Sequence, residues 1–171
     1  LPIWVFMKIK NLAILLMVTV LLLVPATALA QDGTSAASQP QNDEQLMEAM
    51  SADGTWIIIF NEDYSTDKEL VMEGEHKNRG EVDRKLALYA SDSDHNVTDR
   101  FTLEAPSITV RSPKTRFQVG TFVGDVYVEA NNFSLRQGFT VEGNVYFASQ
   151  EALSTFSIQG GAEVTGDLIV E

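Results

Sequence analysis

The chain has 171 residues, of which 24 are acidic and 12 basic, so its net charge is −12. Such a surface repels nucleic acid and anionic lipid, which argues against both as partners. The chain contains no cysteine, so disulfides and thiolate chemistry are excluded, and with 44% hydrophobic residues its stability must come from an apolar core.

The first thirty residues have the layout of a secretory signal peptide. A basic segment at 7–10 precedes an apolar run at 12–24, and the sequence ALA at 28–30 offers small residues to a signal peptidase. We predict cleavage between Ala30 and Gln31, which leaves 24 acidic and 10 basic residues and a net charge of −14. The alternative is an uncleaved membrane anchor, but a span needs about 20 apolar residues. Residues 1–6 are interpreted as upstream sequence before a mis-set start.

The next segment predicts a tether and one helix. Residues 31–45 are small and polar without apolar periodicity, as is typical of a flexible tether. Around the end of that segment, Leu46, Met47 and Met50 share a helical face, and Asn42 or Asp43 could cap it. We predict a short N-terminal helix as a cap, no further helix, and one folded domain over residues 46–171.

From residue 54 onward, short β patterns alternate with polar loops rich in Asp, Glu, Gly and Asn. The later part is repetitive, with aromatic–polar–aliphatic triplets at spacings of 16, 16 and 23 residues. The triplets are FTL at 101–103, FQV at 117–119, FSL at 133–135 and FSI at 156–158. Three further phrases resemble one another: GDVYVEA at 124–130, GNVYFAS at 143–149 and GDLIVE at 166–171.

Each repeat predicts three short strands, with a Gly-Asx corner before the third. Gly and Asx tolerate the left-handed backbone of a sharp corner, and a period near 20 residues built from three strands is typical of a β-solenoid. We predict an all-β, single-domain β-solenoid of about six short coils, with residues 148–155 as an outward loop. The alternative is an antiparallel sandwich or jelly roll. The absence of two-residue hairpin turns between the phrases favours the solenoid.

The segment at 83–135, together with the phrases GDVYVEANNF at 124–133 and VEGNVYFAS at 141–149, resembles exported bacterial polymer-forming proteins related to the bactofilins. The resemblance covers roughly residues 54–171. It implies a β-helical fold, end-to-end self-assembly and a scaffolding role without catalysis. Typical bactofilins are cytoplasmic, whereas this chain carries an export signal. We therefore expect a secreted or envelope-associated protein rather than an intracellular filament.

One acidic cluster has the pattern of a metal loop. Oxygen ligands recur at alternate positions, as they do in a calcium loop; they are Asp92, Asp94, Asn96 and Asp99. However, Val97 stands where that loop requires Gly, and Leu103 where it requires a bidentate Glu. The alternative is an Asx-rich turn between strands. We assign no metal and no cofactor.

A polysaccharide lyase or hydrolase is the enzymatic alternative, because many β-solenoids support that chemistry. Glycoside hydrolysis needs two carboxylates about 5–9.5 Å apart. Here Asn144 separates Asp125 from Asp167 at the predicted corner, so no row of carboxylates forms. We predict no catalytic residue. A carbohydrate-binding envelope module is the second functional hypothesis, with Tyr127 and Tyr146 as its candidate binding face.

The final phrase, GDLIVE, follows a strand pattern without a capping helix, proline or charged tail. A terminal coil of this kind presents unpaired backbone groups, and repeat proteins usually carry capping units. We predict self-association into a dimer or filament through Leu168, Ile169 and Val170. The expected function is a non-catalytic scaffold of the bacterial cell envelope, whose partners are other copies of itself and, as a further candidate, cell-wall polysaccharide.

Overall fold

The computed structural model describes residues 37–171. Residues 1–6, the signal segment and the cleavage site between Ala30 and Gln31 lie outside them. Strands make up 49% and helices 10% of the structure, so the prediction of an all-β protein is confirmed. Among the described residues, neither helix has the length and apolarity that a bilayer crossing requires.

The elements are short except for three long strands in the middle of the chain. In chain order they are α1 (Asp43–Met50), β1 (Ile57–Ile59), β2 (Tyr64–Ser65), β3 (Leu70–Met72), β4 (Lys77–Asn78), β5 (Glu81–Val82), β6 (Arg84–Ala87), β7 (Tyr89–Ser91), β8 (Val97–Arg100), β9 (Thr102–Val110), β10 (Thr115–Val128), β11 (Ser134–Glu142), β12 (Val145–Phe147), α2 (Gln150–Thr155), β13 (Ser157–Ile158), β14 (Glu163–Val164) and β15 (Leu168–Val170).

Eleven strands form one curled parallel sheet with three ladders of hydrogen-bonded segments. The first ladder contains β1, β6, the start of β10, the start of β11 and β13. The second contains β2, the start of β9, the middle of β10, the end of β11 and β14. The third contains β3, the end of β9, the end of β10, β12 and β15. Parallel pairing excludes the antiparallel sandwich for this sheet. The predicted count of about six coils is not confirmed, since each ladder holds five segments.

The three repeated phrases lie in register in the third ladder. Their middle residues, Tyr127, Tyr146 and Ile169, pair with one another in sequence. Because side chains alternate along a strand, the apolar residues on either side of these three point to the opposite surface of the sheet. The phrase is therefore a unit of the sheet, as the repeat predicts.

The core fills the inside of the curled sheet with apolar side chains from all three ladders. Its largest members are five fully buried phenylalanines: Phe117, Phe122, Phe133, Phe139 and Phe147. The rings of Phe117 and Phe133 meet edge to face, with centroids 4.9 Å apart, which is a favourable aromatic geometry. Burial of each such ring stabilises the fold by about 1.5–3 kcal/mol.

Helix α1 covers the first layer of the sheet. Asn42 caps it, because the Asn42 side chain accepts a hydrogen bond from the Gln45 N–H at 2.9 Å. Leu46 and Met50 are buried as predicted, but Met47 is 52% exposed and does not belong to the buried face. Before the helix, Ser38 forms a parallel bridge with Ile58. Ordered structure thus begins before the boundary predicted at residue 46.

A buried guanidinium ties α1 to the sheet. Arg84 is fully buried, and its two terminal nitrogens donate to Ala49 O at 2.8 Å and Glu73 O at 2.7 Å. Burial lowers the pKa of Arg84 to about 10, so the group is still charged at neutral pH. A positive charge at the carboxyl end of a helix is favourable because it opposes the helix dipole.

The segment predicted as an outward loop at 148–155 contains the short helix α2, so the prediction of no second helix was wrong. The Ser149 side chain caps α2 by accepting a hydrogen bond from the Ala152 N–H at 3.1 Å. Ala152 is fully buried and Leu153 packs against the core. The insertion therefore covers part of the sheet rather than projecting from it.

Candidate functional site

The candidate site is the last layer of the curled sheet, which consists of β13, β14 and β15. Within the described chain, each of these strands has a hydrogen-bonded neighbour on one side only. Their other edge presents backbone N–H and C=O groups that another strand could pair with. Edge strands of this kind are the usual starting point for contacts between chains.

Three apolar side chains of this layer point inward yet remain exposed. Ile158 is 43% exposed, Leu168 47% and Val170 39%. Their direct neighbours in the layer below are fully buried: Leu135, Val145 and Phe147. The three exposed residues, which we call the end face, lack only a further layer to cover them.

The structure separates the three residues predicted for self-association. Leu168 and Val170 belong to the end face, whereas Ile169 points outward in the row of Tyr146 and is half-buried. Ile158 was missed by the sequence reasoning. The FSI triplet could have identified it, because Ile158 is the last aliphatic residue of the first ladder.

The two tyrosines proposed as a sugar-binding face stack on each other. The ring centroids of Tyr127 and Tyr146 are 4.8 Å apart and the rings are 11° from parallel. Thr109 and Ile169 continue the row on either side. Burial, followed by the neighbouring Tyr146, raises the pKa of Tyr127. One face of each ring therefore contacts the other ring, which leaves less ring surface for a ligand.

The Gly-Asx corners form a ladder of their own. The Asp125 side chain accepts a hydrogen bond from the Asn144 N–H at 2.9 Å, and the Asn144 side chain accepts one from the Asp167 N–H at the same distance. The Asp167 carboxylate is next in this series and is exposed. These side chains hold corners together, so Asp125 and Asp167 do not form the facing pair of carboxylates that glycoside hydrolysis requires.

The surroundings of the end face are acidic. Residues 137–171 include five acidic residues and no Lys, Arg or His. Glu163, Asp167 and Glu171 are exposed beside the end face. Two end faces that approach each other at low ionic strength therefore experience like-charge repulsion.

The predicted calcium loop forms the turn between β7 and β8. The Asp92 carboxylate accepts hydrogen bonds from the N–H groups of Asp94 and Asn96, both at 2.9 Å, and from the Asn96 side chain at 3.1 Å. The bonds from Asn96 are the main reason why the pKa of Asp92 is lowered. Asp99 pairs with Ala90 in the hairpin. The cluster thus forms an Asx turn, and over residues 37–171 no three His, Cys, Asp or Glu side chains converge as metal ligands would.

In comparisons with protein-family models, with curated proteins and with solved structures, nothing matches the chain.

Proposed function

We propose that this protein is a non-catalytic, exported scaffold of the bacterial cell envelope that self-associates through its end face. The proposal takes the curled parallel sheet as a β-solenoid of five coils, one for each segment of a ladder, in keeping with the bactofilin-like resemblance of residues 54–171. The observation that carries it is the exposure of inward apolar side chains in the last layer, because the neighbours that they pair with in the layer below are fully buried.

The two ends of the sheet differ, and this difference favours a contact between like ends. In the first layer, Ser38 pairs with β1 and helix α1 packs against β3, whereas within the described chain no segment lies against the outer edges of β13, β14 and β15. Two end faces related by a two-fold axis would bury each other and let their edge strands pair in antiparallel orientation. The exposed Asp167 carboxylate would then be available to a backbone N–H of the partner, as Asp125 and Asn144 are within the chain.

The direct experiment is light scattering on purified residues 31–171 over a range of protein concentration and salt, with negative-stain electron microscopy of the same samples. We expect a dimer or a longer assembly for the wild type and a monomer for Leu168→Asp with Val170→Asp, because two buried charges oppose the contact. The matched control is Val97→Asp, since Val97 is 40% exposed but lies in β8. A wild type that is monomeric under every condition contradicts the proposal.

A carbohydrate-binding module of the envelope is the second candidate, and it rests on the partly exposed pair Tyr127 and Tyr146. Aromatic side chains are common platforms for sugars, but here one face of each ring is covered by the other ring. Pull-down on cell-wall polysaccharide would test this function. Retention of the wild type and loss of retention in Tyr127→Ala with Tyr146→Ala would favour it over the scaffold.

A further inference from the structure

A cleft of about 440 Å³ lies between the β4–β5 hairpin and the first ladder. Its lining includes four basic side chains and two acidic ones, although the chain as a whole carries a charge of −12. The charged residues of this basic cleft are Arg79, Lys114, Arg116, Arg136, Glu81 and Asp83. The cleft therefore reverses the sign of the charge that prevails over the chain.

One ion pair forms a neutral wall of the basic cleft. Arg116 donates a hydrogen bond to Asp83, and both side chains are largely buried, with 21% and 13% of their surface exposed. The Asp83 carboxylate also accepts a hydrogen bond from the Asn78 side chain at 3.2 Å. Asp83 is thus committed to residues of the wall and cannot neutralise the other three cations.

Those three cations, Arg79, Lys114 and Arg136, have no acidic side chain within ion-pair distance anywhere in residues 37–171. Arg136 donates through Nε to the Ser134 hydroxyl at 3.0 Å, a contact that leaves its two terminal nitrogens for other acceptors. Glu81 also lines the cleft, so with the Arg116–Asp83 pair neutral these three cations leave a net charge of +2, which raises the local potential and attracts anions.

Two of these cations stand in tight turns of the backbone. Arg79 stands at the tip of the hairpin, where it and Gly80 both have positive φ angles of 52° and 86°. Lys114 has a φ angle of 54° in the turn before β10, and its N–H donates to Asn131 O at 3.2 Å. The backbone of each cation is therefore defined before any ligand arrives, which lowers the ordering cost of binding.

We infer that the basic cleft binds a phosphate group, either of a small phosphorylated molecule or of a phosphate-containing chain. Phosphate near neutral pH carries up to two negative charges and several acceptor oxygens. Guanidinium groups contact such oxygens in pairs, and a lysine ammonium adds a point charge. Arg79, Arg136 and Lys114 supply this combination.

The test is titration calorimetry of the purified protein at low ionic strength with inorganic pyrophosphate and, separately, with polyphosphate. We expect one pyrophosphate per chain, with binding that weakens as salt increases. The variant Arg79→Gln, Lys114→Gln, Arg136→Gln should lose about tenfold or more in affinity, because it removes the charge-assisted hydrogen bonds. Lys68→Gln is the matched control, since Lys68 is exposed and outside the cleft. Arg136→Gln alone should cause a partial loss.

The two ligands distinguish the source of the phosphate. If polyphosphate binds no more tightly than pyrophosphate, the natural ligand is a small molecule. If polyphosphate binds much more tightly, the natural ligand is a phosphate-containing chain. No binding of either ligand, or unchanged binding in the triple variant, overturns the inference. Polygalacturonate, a carboxylate polymer, serves as a further ligand. If the wild type binds it as tightly as the phosphate ligands and the triple variant does not bind it, the assignment to phosphate is overturned. Loss of self-association in the triple variant would instead show that the acidic end of another copy occupies the cleft. A monomeric wild type would contradict the scaffold but leave this titration unaffected.

Discussion

The side chain of Asp125 accepts a hydrogen bond from the backbone N–H of Asn144, one layer further along the sheet. Asn144 makes the same contact to Asp167. The residue before each Asx is glycine for a separate reason. A Cβ on Gly124 or Gly143 would clash with a backbone oxygen of the preceding layer. The Gly-Asx phrase therefore repeats because glycine permits the close approach of neighbouring layers and Asx connects them.

The first prediction concerns this corner ladder. Asp125→Ala should lower the free energy of unfolding by about 1–3 kcal/mol, because the partly buried Asn144 N–H loses its acceptor. Asp125→Asn keeps an acceptor oxygen and should stay close to the wild type. Urea unfolding followed by circular dichroism measures both. Equal destabilisation by the two substitutions would show that the charge of Asp125, and not its hydrogen bond, matters.

The second prediction compares two glycines with positive φ. Gly124 has a φ angle of 141°, and an added Cβ would meet the Ala105 carbonyl oxygen, so Gly124→Ala should cost more than about 3 kcal/mol or prevent folding. Gly161 has a φ angle of 78° with no atom near an added Cβ. Gly161→Ala should cost only about 1–2 kcal/mol, from backbone strain alone. Similar unfolding midpoints in urea would refute the close approach of the layers at the corner.

The third prediction is a pH dependence at the N-terminal cap. Tyr64 donates to the Asp43 carboxylate at 2.7 Å, and burial followed by this bond raises the pKa of Tyr64 to about 12. The folded state therefore holds the phenolic proton more tightly than the unfolded state, whose value is 10.0. This contribution to stability is complete below pH 10 and is lost as pH rises through 12.

At low pH, stability depends on pH with the opposite sign. The hydrogen bond from Tyr64 is the main reason why the pKa of Asp43 lies below 3.8, so its contribution is present above pH 3.8 and is lost as pH falls through the lower folded value. Ultraviolet titration of tyrosinate should show one tyrosine that ionises near pH 12 in the wild type, in addition to the upward shift of Tyr127. Asp43→Asn should move that ionisation toward lower pH, and Tyr64→Phe should remove it. A wild type without a late tyrosine contradicts the contact.

The fourth prediction is that salt strengthens association through the end face. Glu163, Asp167 and Glu171 repel their counterparts in a second copy, and about 0.1 M salt reduces the range of that repulsion to about 10 Å. Glu163→Gln with Glu171→Gln should associate at low salt and lose most of the salt dependence. Glu44→Gln with Glu48→Gln, on the exposed side of α1, is the charge-matched control. Light scattering over a salt series measures this association. Association that weakens as salt increases would contradict the prediction.

The sequence predicts the register between neighbouring strands only at the Gly-Asx corners. The Gly-Asx phrases align as the sequence indicates, but Phe117 pairs with Leu135 and not with Phe133 of the similar triplet. A shift of two residues leaves the alternation of inward and outward side chains unchanged, so the hydrophobic pattern cannot detect it. Between Gln118 and Gly120 the pairing shifts by one residue, with the extra residue in β11, and the offset then equals the 19 residues that separate the Gly-Asx phrases of β10 and β12.

The first triplet lies in a different ladder from the later three. Residues 101–103 resemble the later triplets, yet Thr102 and Leu103 pair with Thr121 and Phe122 in the second ladder. The first ladder is continued by β6, and the β7–β8 hairpin separates β6 from β9. Local composition specifies a strand with one buried face, but the length of the connection decides which ladder it joins.

The sequence by itself determined the all-β class, a helix cap at Asn42 or Asp43 and the parallel repetition of the Gly-Asx phrase, because caps, corners and alternation are local properties of the chain. Only the tertiary structure decided that Leu168 is exposed while Ile169 packs beside Tyr146, and that Arg79 and Arg136 line one cleft. Burial and charge compensation depend on neighbours that the ladders bring together from distant positions, and no local pattern encodes which of those neighbours is present.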